Sequence, residues 1–221
     1  IFTLNVICDA GDEVIIPEPF YANYNGFASF ASVNVVPVIS EFTSHFELPP
    51  LENISSKITS KTKAILLCNP SNPTGYVYNE KEISTLCELA IKYDIFLIVD
   101  EVYREFIYGG NKHYSVLKYP GGSEHTVMID SVSKRYSLCG ARVGCIVSKN
   151  EIFIQNILKL AHLRLSPPTI ALIASEAALD APDSYLKEVI AEYGVRRRVL
   201  IEHLEKIPNV EVSHPMGSFY C

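Results

Sequence analysis

The stretch Ser131-Val132-Ser133-Lys134, with Arg142-Val143-Gly144 downstream, gathers the side chains best suited to chemistry in this chain. Arg142 follows Lys134 by 142 − 134 = 8 positions. A lysine amine attacks a carbonyl carbon once burial or a neighbouring cation favours its uncharged form. Serine hydroxyls and a planar guanidinium fork bind phosphate oxygens, the fork through two parallel donors. The group therefore suits a ligand carrying both a carbonyl and a phosphate. Alone, a Ser-Lys pair reads more readily as a solvated surface turn, so the weight falls on motifs upstream.

Three of these add complementary chemistry. Asn69-Pro70-Ser71-Asn72-Pro73-Thr74-Gly75 is a rigid turn, because proline fixes φ while Asn and Gly accept capping and left-handed geometry. It reads as a strand-to-helix connection or as a mount that aims the Asn72 amide at a phenolate oxygen. Ile98-Val99-Asp100-Glu101-Val102-Tyr103 places a carboxylate at a strand end and a tyrosine three positions later. Asp100 reads either as a helix N-cap or as the partner of a pyridine nitrogen, which an opposite charge keeps protonated. Pro17-Glu18-Pro19-Phe20-Tyr21-Ala22-Asn23-Tyr24 offers Tyr21 as a flat ring at a further strand end, for packing or for stacking on a planar ligand.

The elements that must position these residues follow from periodicity. Apolar runs predict strands over 14–16, 33–39, 64–68, 95–99, 126–129 and 143–147, and helical spacing predicts helices over 21–30, 81–93, 151–163, 170–179 and 184–204. The wholly apolar 95–99 run suits a strand covered on both faces. Strands alternating with helices predict a doubly covered, mostly parallel sheet whose ligands sit beyond the strands' carboxyl ends. Asn69, Asp100 and Ser131 all fall at such ends, so three consecutive strand–helix units deliver polar residues to one rim. Past Glu151 long helices take over, and Ala181-Pro182-Asp183 marks a boundary: one domain over 1–182 and the start of a second over 183–221.

Composition narrows the classes. The chain has 221 residues, 48% hydrophobic and 20% charged, with net charge −6 and no basic run, so nucleic acid is not an expected partner. Arg196-Arg197-Arg198 follows Glu188 and Glu192 in a helical pattern and reads as one charged helix face. The six cysteines include no C-x-x-C pair, and the six histidines lack ligand spacing, so no metal is indicated. Cys68 and Cys145 fall in strand-like runs and read as buried thiols of a reducing compartment, and Cys139 as a buried, inert thiol. No apolar run approaches the ~18 residues of a membrane span, and no signal peptide is visible, so a soluble, cytoplasmic protein is expected. The chain opens at Ile1 as though within an apolar helix and stops at Phe219-Tyr220-Cys221 in what reads as a strand, as expected of a fragment.

Carbonyl, phosphate, pyridine nitrogen and phenolate together describe pyridoxal 5′-phosphate. The order Gly11-Asp12-Glu13, P-x-P-F-Y-x-x-Y, N-P-x-N-P-T-G, D-E-V-Y and S-x-S-K-x7-R-x-G resembles the class I/II aminotransferases of the fold-type I pyridoxal-phosphate enzymes, and Gly217-Ser218-Phe219-Tyr220 resembles their small-domain G-x-F-Y. The resemblance implies a three-layer fold around a mostly parallel, seven-stranded sheet, followed by a smaller α+β domain. It implies that Lys134 carries the cofactor as a Schiff base, Asp100 pairs with the ring nitrogen, and Asn72 and Tyr103 hold the ring oxygen. Ser131, Ser133 and Arg142 would bind the phosphate, and Tyr21 would stack on the ring. It further implies a homodimer that moves an amino group from an L-amino acid to a 2-oxo acid. Other phosphate donors and the substrate-carboxylate arginine are expected before Ile1 and beyond Cys221. Arg164 falls where some aspartate-preferring relatives bind the substrate side chain, or else is a solvated helix-end arginine. C–S β-lyases and aminocyclopropane-carboxylate-type synthases share this constellation, as does the cofactor-sensing domain of certain transcription regulators. A nicotinamide-binding domain is disfavoured, since no G-x-G-x-x-G follows any strand.

Overall fold

A computed structural model of the chain describes residues 1–122 and 124–221. Among these residues the chain forms, in order, α1 (Phe2–Ile7), β1 (Glu13–Glu18), α2 (Asn23–Phe30), β2 (Asn34–Ile39), α3 (Leu51–Ser55), β3 (Thr62–Cys68), α4 (Glu80–Tyr93) and β4 (Phe96–Asp100). There follow β5 (Thr126–Ser131), α5 (Val132–Arg135), β6 (Gly144–Val147), α6 (Glu151–Arg164), α7 (Thr169–Leu179) and α8 (Asp183–Leu204). The strands build one sheet of order β2-β1-β3-β4-β5-β6, parallel from β2 to β5 and antiparallel at β6.

Alternation along the strands separates two cores. Ile15, Ile65, Leu67, Leu97, Val99 and Met128 face one side. There they meet Ile83, Leu86, Cys87 and Ala90 of α4, whose i, i+3, i+4, i+7 spacing makes a single apolar stripe. Val14, Ile16, Ala64, Leu66, Ile98 and Val127 face the other side, against Leu4 of α1, Tyr24 and Ala28 of α2, and Phe153 and Ile157 of α6. The result is a three-layer α/β fold, as the sequence predicts. Each wholly buried Leu or Ile in these layers contributes roughly 1.5–3 kcal/mol. At its start α4 carries a reciprocal cap: Glu82 N donates to the Asn79 side chain (3.1 Å) and Asn79 N to the Glu82 carboxylate (2.8 Å).

The five predicted helices form within one or two residues of their expected ends, and the six predicted strands within two. Four details differ. The described residues hold six strands where the family resemblance implies seven. Residues 219–221 form no strand, because this segment packs through aromatic rings and makes only an isolated bridge, Ile107 with Gly217. Cys145 is exposed, not buried, since β6 is the sheet's edge and is only lightly covered. The three arginines do not share one solvated face: Arg196 pairs with Glu192 (2.8 Å), whereas Arg197 turns inward to donate to the Pro215 carbonyl.

The 214–220 segment docks on the Asn69–Gly75 turn. Gly75 lies at φ +70°, and its carbonyl accepts from Met216 N and Gly217 N, each at 2.8 Å. A Cβ at Gly75 would overlap the Pro215 side chain and lie 3.0 Å from the Tyr220 carbonyl. Gly75→Ala is therefore expected to cost about 1–3 kcal/mol from overpacking, with left-handed strain added. A lowered urea midpoint, with faster proteolysis between α8 and the C-terminal segment, would show this. A wild-type midpoint would refute it.

Candidate functional site

The strand order reverses between β1 and β3, since the chain leaves β1 for β2 on one side and later returns to lay β3 on the other. Ligands of parallel α/β sheets bind beyond the strand ends at such a reversal. Here the ends align closely: Cys68 of β3 lies opposite Asp100 of β4, and Asp100 opposite Ile129 of β5. Three consecutive strands thus deliver the Asn69–Gly75 turn, Asp100 and the Ser131–Lys134 stretch to one rim. The second unit departs from expectation, because β4 leads into a hydrogen-bonded turn through Val102–Glu105 instead of a helix, and Tyr103 sits on that turn.

The lysine-bearing turn is built by its serines. Ser131 is the N-cap of α5, with extended backbone (φ −155°, ψ 160°), and its Oγ accepts from Ser133 N at 3.2 Å. Strand thereby becomes a single helical turn with Lys134 in its last half. Gly144 pairs with Ser131 across the antiparallel ladder, where a Cβ would sit 2.8 Å from the Asp130 carbonyl. Only glycine lets β6 approach so closely, which brings the segment carrying Arg142 alongside the Ser131 end.

A cleft of about 250 Å³ opens at this rim. Tyr21, Asn72, Asp100, Tyr103, Ser131, Ser133, Lys134 and Arg142, the eight site residues picked out from sequence, all line it. Ser131, Ser133 and Arg142 also line an adjoining cleft of about 500 Å³, so they stand where the two meet. Arg164 lines that second cleft at the end of α6, exposed, with Nη1 donating to the Leu165 carbonyl at 3.2 Å. Lys134 Nζ sits over the rings of Tyr103 (5.7 Å) and Phe219 (5.9 Å), attracted to their faces. Arg142, at φ +57°, donates one Nη1 bond to the Cys139 carbonyl at 3.0 Å. Tyr21 is partly exposed, edge-on to Tyr24 at 5.5 Å, and its hydroxyl accepts from Asn23 Nδ2.

Sequence reasoning gave no role to several neighbours. Tyr24, one helical turn beyond Tyr21 and buried in α2, donates its hydroxyl to Asp100 Oδ2 at 2.9 Å. Val102 N donates to the other oxygen at 3.2 Å. The available signal was the second tyrosine of the P-x-P-F-Y-x-x-Y motif, which falls inside α2 whereas Tyr21 precedes that helix. Tyr220 joins the site through its hydroxyl, 3.0 Å from that of Tyr103. Cys68 lines the floor beside Asp100, with Sγ 3.1 Å from the Pro70 carbonyl. Cys139, expected to be buried, is exposed and lines the cleft.

The electrostatics centre on Asp100. Burial pushes its carboxyl up to about 6; the Tyr24 and Val102 hydrogen bonds pull it down, and Asp130 and Glu101 add to the rise. Burial and the Asp100 charge push the Tyr24 phenol and the Cys68 thiol well up. Burial, then the Tyr220 hydrogen bond, raise Tyr103. A buried carboxylate answered only by neutral donors favours a cation beside it. The donor set fits pyridoxal 5′-phosphate: Asp100 for a protonated ring nitrogen, Asn72 and Tyr103 for a phenolate, two serines and an arginine for a phosphate, and Lys134 for a carbonyl.

Because the folded carboxyl titrates above its ordinary 3.8, Asp100 disfavours the ligand-free fold progressively as pH rises from about 4 to about 6, and most above 6. Asp100→Asn should therefore raise the thermal midpoint of ligand-free protein at pH 8 and leave it nearly unchanged at pH 4. The shift should be roughly 2–4 °C per kcal/mol relieved. Equal shifts at both pH values would count against a strained carboxylate.

The family model for aminotransferase class I and II matches residues 1–221. An aspartate aminotransferase of Bacillus subtilis is 36% identical over all of this chain. A (5-formylfuran-3-yl)methyl phosphate transaminase of Methanocaldococcus jannaschii is 34% identical over 99% of it. The crystal structure of an aromatic aminotransferase from Pyrococcus horikoshii superposes with a TM-score of 0.90 at 28% identity, over 98% of this chain and 58% of that one. The chain spans about half the length of the curated relatives it matches, 56% for the Bacillus subtilis enzyme. Matched by the family model over residues 1–221 and by a solved aminotransferase in fold, the chain belongs to the class I and II aminotransferase family.

Proposed function

We propose that the protein is a pyridoxal-phosphate-dependent aminotransferase, passing the amino group of an L-amino acid to a 2-oxo acid, with Lys134 as the covalent anchor. The observation that carries this reading is the convergence of Lys134, Asp100 and the Ser131, Ser133, Arg142 trio on one cleft. When bound, pyridoxal phosphate supplies a carbonyl for the amine and a protonated ring that accepts the electron pair released at the substrate's α-carbon. Lys134 would provide the amine that links to the carbonyl and would carry the α-proton. Asp100, oriented by Tyr24 and Val102, would keep the ring nitrogen protonated. Tyr103 and Asn72 would hold the ring oxygen, and Tyr21 would pack against the ring. Ser131, Ser133 and Arg142 would hold the phosphate.

The relatives' names attach to aspartate, aromatic and furan-phosphate substrates, so the amino donor is left to experiment. The same reading divides the chain into a cofactor-binding domain over 1–182 and the start of a smaller domain over 183–221, where α8 begins at Asp183. A homodimer is supported by the family resemblance and by exposed apolar side chains along α6 and α7, among them Leu163, Ile170 and Ile173. A cytoplasmic setting is supported by six free cysteines. No helix among the described residues is long and apolar enough to cross a membrane.

Incubation with pyridoxal phosphate, borohydride reduction and peptide mapping should yield one dominant adduct, on Lys134. The Lys134→Ala protein should lose it. Labelling spread over surface lysines in the wild type would overturn the assignment. For turnover, Asp100→Ala should retain the cofactor yet slow amino-group transfer by at least 100-fold, since it removes the charge that keeps the electron sink protonated. Release of a thiol and pyruvate from cysteine conjugates, without amino transfer, would instead identify a β-lyase.

A further inference from the structure

Four charged side chains form a neutral cluster between the turn carrying Tyr103 and the turn carrying Lys134. Asp130 Oδ2 lies 2.7 Å from Arg135 Nη2 and 3.4 Å from Arg104 Nη2. Glu105 Oε1 closes the ring, 3.5 Å from Arg104 Nε and 3.2 Å from Arg135 Nε. The last contact pairs charge without a hydrogen bond, because the carboxylate lies off the N–H axis. The Asp130 and Arg135 side chains are only 6% and 13% exposed, so their pairing is far less screened than a surface ion pair. The other oxygen of Asp130 accepts from Ser131 N at 2.7 Å, tying the same carboxylate to the cap of α5.

The placement of this cluster is specific. Arg104 and Glu105 directly follow Tyr103, and Arg135 directly follows Lys134. Helix α5 is one turn of four residues, too short to hold its own geometry. Its ties to the rest of the fold include the Ser131 cap, a bond from Val132 N to the Val143 carbonyl at 3.3 Å, and the contacts of Arg135 with Asp130 and Glu105. The 5.7 Å separation of Lys134 Nζ from the Tyr103 ring is therefore set between two short turns that the cluster joins.

We propose that Asp130, Arg135, Arg104 and Glu105 act as a clamp that positions Lys134 against Tyr103, without touching the cofactor. The proposal rests on Lys134 being the cofactor-bearing lysine, and its test separates the two ideas. The variant Asp130→Asn/Arg135→Gln removes one charge of each sign, so it strands no lone ion. Two readouts would follow the lysine itself. One is trace acetylation of Lys134 relative to exposed Lys159, measured by mass spectrometry without cofactor. The other is the pH midpoint of the visible absorbance of protein loaded with pyridoxal phosphate. That midpoint also senses Asp100, Tyr103, Tyr220, Cys139 and Arg142, which share the cleft and are unchanged in the variant.

The double variant should retain a cooperative thermal transition, yet change the acetylation ratio at least threefold and move the absorbance midpoint by about half a pH unit or more. Arg104→Gln removes the two longer contacts, to Asp130 and Glu105, and leaves the 2.7 Å Arg135–Asp130 pair, so it should shift the ratio the same way by less, which keeps a measurement available if the double variant does not fold. Arg135→Lys, which preserves the charge facing Asp130, should recover part of the change. Wild-type ratios in the foldable variants would overturn the clamp, whatever their stability. Absence of a pyridoxal adduct on wild-type Lys134 would instead overturn the functional assignment, while the acetylation ratio would still decide the clamp.

Discussion

The site depends first on a constraint of parallel pairing. Parallel neighbours must be joined by crossovers that return to the same end, so all their carboxyl termini share one rim. In this sheet β3, β4 and β5 are also closely in register, with Cys68, Asp100 and Ile129 level across the ladder. Whatever follows each strand is then delivered to the same place. A turn with an amide, a carboxylate and a lysine-bearing helical turn converge because of backbone hydrogen bonding, before any side chain contributes. Alternation adds the choice of face: Cys68 and Asp100 share the side of Ile98, which is the side of Tyr24 on α2.

The rim concentrates acidic groups, and the fold answers each differently. Asp100 receives only neutral donors, from Tyr24 and Val102, and is left eager for a proton or a cation. Glu101, its neighbour in sequence, is wholly buried on the way to the next loop, where it accepts from Val116 N at 2.9 Å and faces His113 Nε2 at 3.0 Å. Asp130 is met by two arginines. A carboxylate already neutralised by arginine has little left to offer a ligand, whereas one held by hydroxyl and amide retains its demand for positive charge. On this physical ground Asp100, and not Asp130, is suited to a cationic ring, and Glu101 does not line the cleft.

What was legible in the sequence follows the same division. The strands and helices were readable because burial imposes periods of 2 and 3.6, as in the α4 stripe through Ile83, Leu86, Cys87 and Ala90. The eight cleft residues were readable because strand ends collect them. Side-chain partners across the fold were not. Nothing local links Tyr24 to Asp100, 76 positions away, or Tyr103 to Tyr220, 117 away. Exposure misled where a strand lies at an edge: Cys145 has an apolar neighbourhood in sequence, but β6 pairs on one side only. The C-terminal aromatic run looked like a strand because β propensity measures packing of large side chains as much as backbone preference. Here those rings pack without a ladder.

That aromatic packing bears on how the site is closed. Phe219 stacks on Tyr193 of α8 at 4.9 Å and meets Tyr103 and Phe106 edge-on at 5.0 Å each, while Tyr220 reaches the Tyr103 hydroxyl. The segment is held from below by Gly75, whose carbonyl takes two of its amides. One wall of the cleft is therefore contributed by residues that pack with α8, and the facing wall by the sheet rim. Asp100 and Ser131 stand at the ends of paired strands, and Lys134 on the single helical turn that follows β5. The rim is thus set by strand pairing, and the wall that covers it by a short segment bonded through its backbone to Gly75 and Phe106 and filled in by aromatic packing.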